Sequence, residues 1–341
     1  MNRTLRTVII AVALIVVGSV LAGCGFLGMD GAWDMLTGSG KLVTTQETIS
    51  GDFANIDIDI LSSDLEFLPS PDGTCYYIAK TYDNMFCTAE VENGTLKIGQ
   101  DDNRLWYQHI GIYWEKTSLT LYLPKDAYDQ LTFNGSTSDL SVTSGFQFQN
   151  VTIANSTGDI RLVGVTAKAI SATTSTGNVY ISQTKCDNIS VSTSTGDCQL
   201  ETLNVAEKLL ATSSTGRKFL NKVDCGSLNI TGTTGDTSLN NVKVSADAQM
   251  ESNTGDWELY NVMVSGDAML RSSTGDWELD GFDAANITID TDTGDVEGTL
   301  LSEKIFFVDT DTGDVNVPKT TSGGKCEITT DTGDIEIDIA P

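Results

Sequence analysis

One histidine, His109, and five prolines are all that 341 residues contain of either. Arginine is nearly as scarce: beyond Arg3 and Arg6 there are only Arg104, Arg161, Arg217 and Arg271. A lone imidazole, far from any motif, gives no footing for Ser-His-Asp, Cys-His or histidine-built zinc chemistry. Positive charge is in deficit, with 20 Lys and Arg against 47 Asp and Glu and a net charge of −27. That excludes nucleic acid as a partner and gives no attraction to anionic lipid or cell-wall polymers. A helical period of 3.6 is missing from the bulk of the chain, which excludes helical architectures. Seven cysteines occur, too scattered for a disulfide scaffold.

What the chain has is repetition. Thr-Gly-Asp recurs around Gly158, Gly196, Gly235, Gly255, Gly275, Gly294, Gly313 and Gly333, with Thr176-Gly177-Asn178 and Thr215-Gly216-Arg217 as variants and Thr137-Ser138-Asp139 as a degenerate first copy. The spacing is 19 or 20 residues throughout. A fixed period this short marks a solenoid.

Seven and five places before each glycine stand two columns of residues able to be buried, such as Ile189 and Val191, or Ile287 and Ile289, with polar residues between them. Two, four and seven places after it the pattern resumes: Val179 and Ile181, Trp257 and Leu259, and a column of Val165, Leu203, Val223, Val242, Val262, Phe282 and Leu301. Period-two alternation means strands with one buried face. A 19-residue unit has no room for a crossover helix, so each unit is one coil, and coils stack in parallel about 4.8 Å apart. Glycine supplies the positive φ of a tight corner, Asp or Asn is expected to bond back to the turn backbone, and Thr and Ser to bond along the stack. The fold class is therefore all-β, a parallel β-solenoid of about eleven coils, roughly 50 Å long.

Met1–Arg6 is a basic head, residues 8–17 are apolar without a break, and Leu21-Ala22-Gly23-Cys24 follows. Together they predict an export leader over residues 1–24 with Cys24 as the lipidated residue; the alternative is an uncleaved membrane anchor. Either tethers the chain to the outer face of the cytoplasmic membrane or envelope. Residues 25–45, rich in Gly, Ser and Thr, read as a flexible linker. Residues 46–126 hold a first coil near 54–68 and then a meander, with strands near 75–82, 86–92, 95–99, 105–114 and 118–123 and a hairpin turn at Glu92-Asn93-Gly94. This insertion is expected to cap the N-terminal end of the array at 127–341. The last strand, Asp334–Ile339, is expected to lie at an open edge guarded by its acidic outward residues.

A basic head with this Cys24 motif, an N-terminal β region ending in Leu119-Thr120-Leu121-Tyr122-Leu123-Pro124, and Ser-Thr-Gly-Asp coils resemble a bacterial envelope family of domains of unknown function grouped as putative adhesins. The resemblance covers residues 45–341. It implies a non-catalytic cell-surface module with a surface glycan or protein as ligand, and carries over no catalytic or binding residue. The alternatives are an envelope carbohydrate-active enzyme or a scaffold tied to envelope stress. The enzymes on such scaffolds set Asp clusters beside Arg, Lys or His under long loops, and the connections here are short.

The strongest polar constellation is an acidic ridge in the last three coils: Asp290, Asp292 and Asp295 stacked under Asp309, Asp311 and Asp314, then Asp331 and Asp334. Neighbouring like charges about 4.8 Å apart repel by roughly 0.9 kcal/mol even in bulk water. Such a ridge is either a solvated edge or a weak calcium site, since calcium takes oxygen ligands; no other cofactor is expected. By parity the inner Thr of each Thr-x-Thr points inward, against an ice-binding ladder, and Trp257 and Trp277 are buried rather than a sugar platform. Cys75 and Cys87 are the one plausible disulfide; Cys186 and Cys225, two coils apart, lie beyond reach.

Overall fold

Residues 41–103 and 116–340 are described by the computed structural model. They form 26 strands in one continuous sheet, and no helix occurs among the described residues. The apolar columns are the reason. Ile170 pairs with Ile189, Val191 with Ala211, Trp257 with Trp277 and Ile287 with Cys326, so each buried side chain lies on its equivalent in the next coil. Through the array these residues are almost wholly buried, including Ile189, Leu209, Ile230 and Leu270. Full burial stabilises by roughly 1.5–3 kcal/mol per large side chain.

Each coil, named here by its corner glycine, changes direction first at that glycine. Gly177 has φ of +151°, and a Cβ there would lie 2.1 Å from the carbonyl oxygen of Gly158 in the coil before. The corner thus needs glycine twice over, for its backbone angle and for the close approach of stacked corners. A second corner follows six residues on. Gln183, Thr202, Lys222, Asn241 and Asn261 sit there at φ of +51° to +54°, with Gly164 and Gly281 in the same place. A left-handed non-glycine residue costs about 1 kcal/mol, and the column is held only because its neighbours on both sides hold theirs. A third break, loop or bulge, precedes the next long strand, as between Cys186 and Asn188.

At the N-terminal end the chain does not stack in order. β1 (Leu42–Ile49) comes first, then the coil made by β2 (Asn55–Ile60) and β3 (Asp64–Pro69). Next are β4 (Cys75–Tyr82), β5 (Met85–Glu92), β6 (Thr95–Asp102) and β7 (Ser118–Leu123), before β8 (Ala127–Thr137) and β9 (Leu140–Val142). β2 pairs in parallel with both β6 and β8, and β3 with both β7 and β9. So β6 and β7 form the outermost coil, and the coil that precedes them in sequence is sandwiched beneath it. Antiparallel strands then close the end: β5 on β6, β4 on β7 and β1 on β4. Asn93 and Gly94 both adopt positive φ in the β5–β6 hairpin turn, as the sequence predicts. The linker expected through residue 45 already belongs to β1 from Leu42; the meander strand expected at 105–114 lies outside the described residues.

The C-terminal end is interleaved in the same way, and here the expectation of an open last strand is wrong. Strand Gly324–Thr332 of the Gly333 coil pairs with Asn286–Thr293 on one side and Lys304–Thr312 on the other. Ile335–Ile339 likewise pairs with Val296–Leu300 and Val315–Asn316. The stacking order is Gly294, Gly333, Gly313, and the exposed edge belongs to the Gly313 coil. Its inward residues Phe306 and Val308 are only partly buried. Lys304 fastens this coil from within, its Nζ 2.6 Å from Asp283 Oδ1 with the side chain 4% exposed. One column entry also moves: Leu300, not Leu301, packs on Phe282, because the register shifts between Asp280 and Phe282.

Candidate functional site

The corner carboxylates are structural. Asp159 Oδ1 accepts the amide of Asn178 at 2.7 Å, Asn178 Oδ1 that of Asp197 at 2.9 Å, and Asp256 Oδ1 that of Asp276 at 3.0 Å. The bond expected within each turn is made instead to the next coil, because stacking brings the neighbouring amide within reach of the side chain. A hydroxyl ladder runs inside the corner, as expected: Thr193 Oγ1 donates to Gly177 O at 3.0 Å and Ser213 Oγ to Gly196 O at 3.1 Å. Trp257 and Trp277 are buried and stacked, centroids 4.7 Å apart, with each indole N–H bonded to a corner serine, Ser252 or Ser272.

The acidic ridge is part of this scheme. Asp295 Oδ1 receives the Asp334 amide at 2.7 Å, and Asp334 Oδ1 receives the Asp314 amide at 2.7 Å. Asp290 and Asp309 are not stacked on one another; each pairs with Thr329, which stands between them. The interleaved order thus separates Asp290 from Asp309, while Asp295, Asp334 and Asp314 still follow one another in adjacent coils. All eight aspartates, Asp290, Asp292, Asp295, Asp309, Asp311, Asp314, Asp331 and Asp334, are exposed. Among the described residues no three Asp, Glu, His or Cys converge on one metal position. Cys24 and His109 lie outside the described residues. Cys75 and Cys87 are free thiols, both pushed up to about 11 by burial.

One interruption of the ladder stands out, at the Gly216 coil. Arg217 takes the place of Asp or Asn; its amide is held by Asp197 Oδ1 at 2.8 Å and its guanidinium by Asp197 Oδ2 at 3.3 Å. Having no carboxylate, Arg217 leaves the Asp236 amide without the side-chain acceptor that corner amides have elsewhere. The next residue, Lys218, is buried in a column otherwise filled by residues such as Val179, Cys198 and Trp257. Its ammonium replaces a missing hydroxyl: Gly232 stands where the ladder has Ser or Thr, and Lys218 Nζ lies 3.5 Å from Gly216 O in the space that glycine leaves. Burial lowers the Lys218 pKa and pushes the neighbouring Cys198 thiol up to about 12.

Beside this interruption the outer face has a cleft of about 460 Å³, lined among others by Asp197, Arg217, Phe219, Asp236, Ser238 and Glu258. It arises from one column of outward side chains, Gln199, Phe219, Ser238 and Glu258, paired across successive coils. Ser238 is the short member, so a slot opens above it between the Phe219 ring and the Glu258 carboxylate. Arg217 was visible in the sequence as a variant third place in the repeat. The slot was not, because it depends on which faces point outward in register.

The Toastrack DUF4097 family matches residues 53–240 and again residues 220–341. No curated protein matches the chain. Similar solved structures include a putative adhesin from Bacteroides fragilis, 15% identical, covering 89% of this chain and 100% of its own, with a TM-score of 0.29. A putative lipid binding protein from Parabacteroides distasonis is 17% identical over 90% of this chain and 99% of its own, with a TM-score of 0.38. A putative adhesin from the same species is 9% identical over 88% and 99%, with a TM-score of 0.39.

Proposed function

The chain belongs to the Toastrack DUF4097 family, and we propose that it acts as an exported, membrane-tethered rod that binds through its outward side chains and performs no catalysis. The observation that carries this reading is how the stack spends its residues. Interior columns are given to packing, and corner Asp, Thr and Ser to bonds between coils. Side chains that point outward from the flat faces are what is left to meet another molecule. The tether rests on the basic head, apolar run and Cys24.

Two measurements test it on the full chain. Cys24→Ala abolishes lipid labelling and leaves an unprocessed precursor; unchanged labelling and size overturn the lipid anchor. Cells bearing the protein retain oligosaccharides or host-surface proteins from an array without altering them. Release of shortened or unsaturated sugar products identifies a carbohydrate-active enzyme instead.

A further inference from the structure

We propose that the slot above Ser238 binds a neutral saccharide. The proposal rests on the surface-binding reading and names the ligand class and the place. Saccharide sites are concave, present an aromatic wall to the C–H face of a sugar ring, and carry a few convergent donors and acceptors for its hydroxyls. The slot has each of these. Phe219 forms one wall and Glu258 the other, two strand spacings or about 9.6 Å apart, with Ser238 as the floor between them. From Arg161 onward the column runs Tyr180, Gln199, Phe219, Ser238, Glu258, Glu278, and Ser238 is the short side chain with a long one on each side; the column's other serine, Ser141, lies one coil before Arg161.

Donors gather at the corner end of the slot for a reason peculiar to this coil. Arg217 is anchored by Asp197 yet 74% exposed, so the rest of its guanidinium is available. The Asp236 amide has no acceptor, because the residue that would supply one is Arg217. Acceptors are the carboxylates of Asp236 and Glu258. The charge around the slot selects the class of ligand. Asp197, Asp236 and Glu258 outnumber the one exposed cation, so phosphate, sulfate and uronate are repelled. Hydroxyls, which both donate and accept, satisfy the whole set.

The test uses the full chain and isothermal titration with neutral tetrasaccharides of glucose, mannose, galactose and N-acetylglucosamine, against tetragalacturonate and inorganic phosphate. At least one neutral tetrasaccharide binds, and the two anions do not. Ser238→Tyr fills the slot with the residue the same column carries at Tyr180, and weakens binding at least about tenfold. Arg217→Asp restores the repeat and gives Asp236 its acceptor, so the melting temperature holds or rises while affinity falls. Because that variant repairs the scaffold, its loss of binding cannot be ascribed to unfolding. The proposal is overturned if no neutral tetrasaccharide binds, if the anions bind more tightly, or if Ser238→Tyr binds as the parent does. Cells bearing Ser238→Tyr separate the two readings: attachment retained with full sugar affinity in both proteins leaves the rod as a surface module and removes the slot.

Discussion

The two ends of the stack are built to the same plan and finished differently. At each end the terminal coil of the array lies inside, and its sequence neighbour forms the outermost layer. At the N-terminal end that outermost layer, β6 and β7, is covered again by β5, β4 and β1, and Leu119 and Leu121 of β7 are fully buried. At the C-terminal end nothing among the described residues covers the Gly313 coil. Its inward Phe306 and Val308 are only partly buried, and its flank exposes Ile305 and Phe307, the latter 55% exposed. The difference teaches that repeats extend a core but do not close one. Closure comes from residues that leave the period, and only the N-terminal region leaves it at length.

The largest effect expected from this contrast comes from a matched pair of positions. Leu119 and Val308 both point inward from an outermost coil. Leu119→Ala costs about 2–5 kcal/mol, whereas Val308→Ala costs less, about 1 kcal/mol, because Val308 is only partly buried and loses a smaller side chain. Denaturant unfolding of the two variants decides the matter. Equal losses would mean that the C-terminal face is covered in solution, and the contrast between the ends would fail.

A smaller effect tests the cover itself. The Tyr77 hydroxyl on β4 donates to Glu47 Oε2 on β1 at 2.6 Å and lies 3.1 Å from the Cys87 carbonyl on β5, tying three covering strands together. Burial, with Glu47 beside it, holds the Tyr77 pKa well above its ordinary value, so the hydroxyl remains a donor across the physiological range. Tyr77→Phe is expected to cost about 1–2 kcal/mol. An unchanged melt would show that β1 adds nothing to closure.

The smallest effect concerns the acidic ridge on the open end. If Asp292 and Asp311 help hold calcium, millimolar calcium raises the melting temperature beyond sodium chloride of equal ionic strength, and replacing both with Asn removes the increment. Like shifts in the two salts mean screening alone. With Thr329 between Asp290 and Asp309, and with Asp295 and Asp334 already bonded to backbone amides, the specific increment is expected to be small.

Much of this was legible in the residues. The columns at Ile189, Val191 and their equivalents gave strand parity, and from parity came the burial of Trp257 and Trp277 and the inward threonines. The corner glycine was legible for its φ, though the clash it avoids with the coil before was not. Interleaving at the ends left no trace, since the Gly313 and Gly333 coils carry the same columns and either can lie outside. The second corner is written weakly, in Gly164, Asn241, Asn261 and Gly281. Gln183, Thr202 and Lys222 hide it, because only their neighbours force them into a conformation they disfavour. The slot depends on one short residue in an outward column and on one cation in a row of acids. Neither has meaning until the coils are in register.

The tucked ends also decide how such a protein can change its length. A coil added after Pro341 would not find a free edge beside the strand it continues from, which is already paired on both sides; the open edge lies one layer further out, on the Gly313 coil. A coil duplicated between Gly158 and Gly294 meets its own columns above and below and leaves both finished ends untouched. Lineages that lengthen or shorten the rod should therefore do so in its middle, like a table extended by its centre leaf.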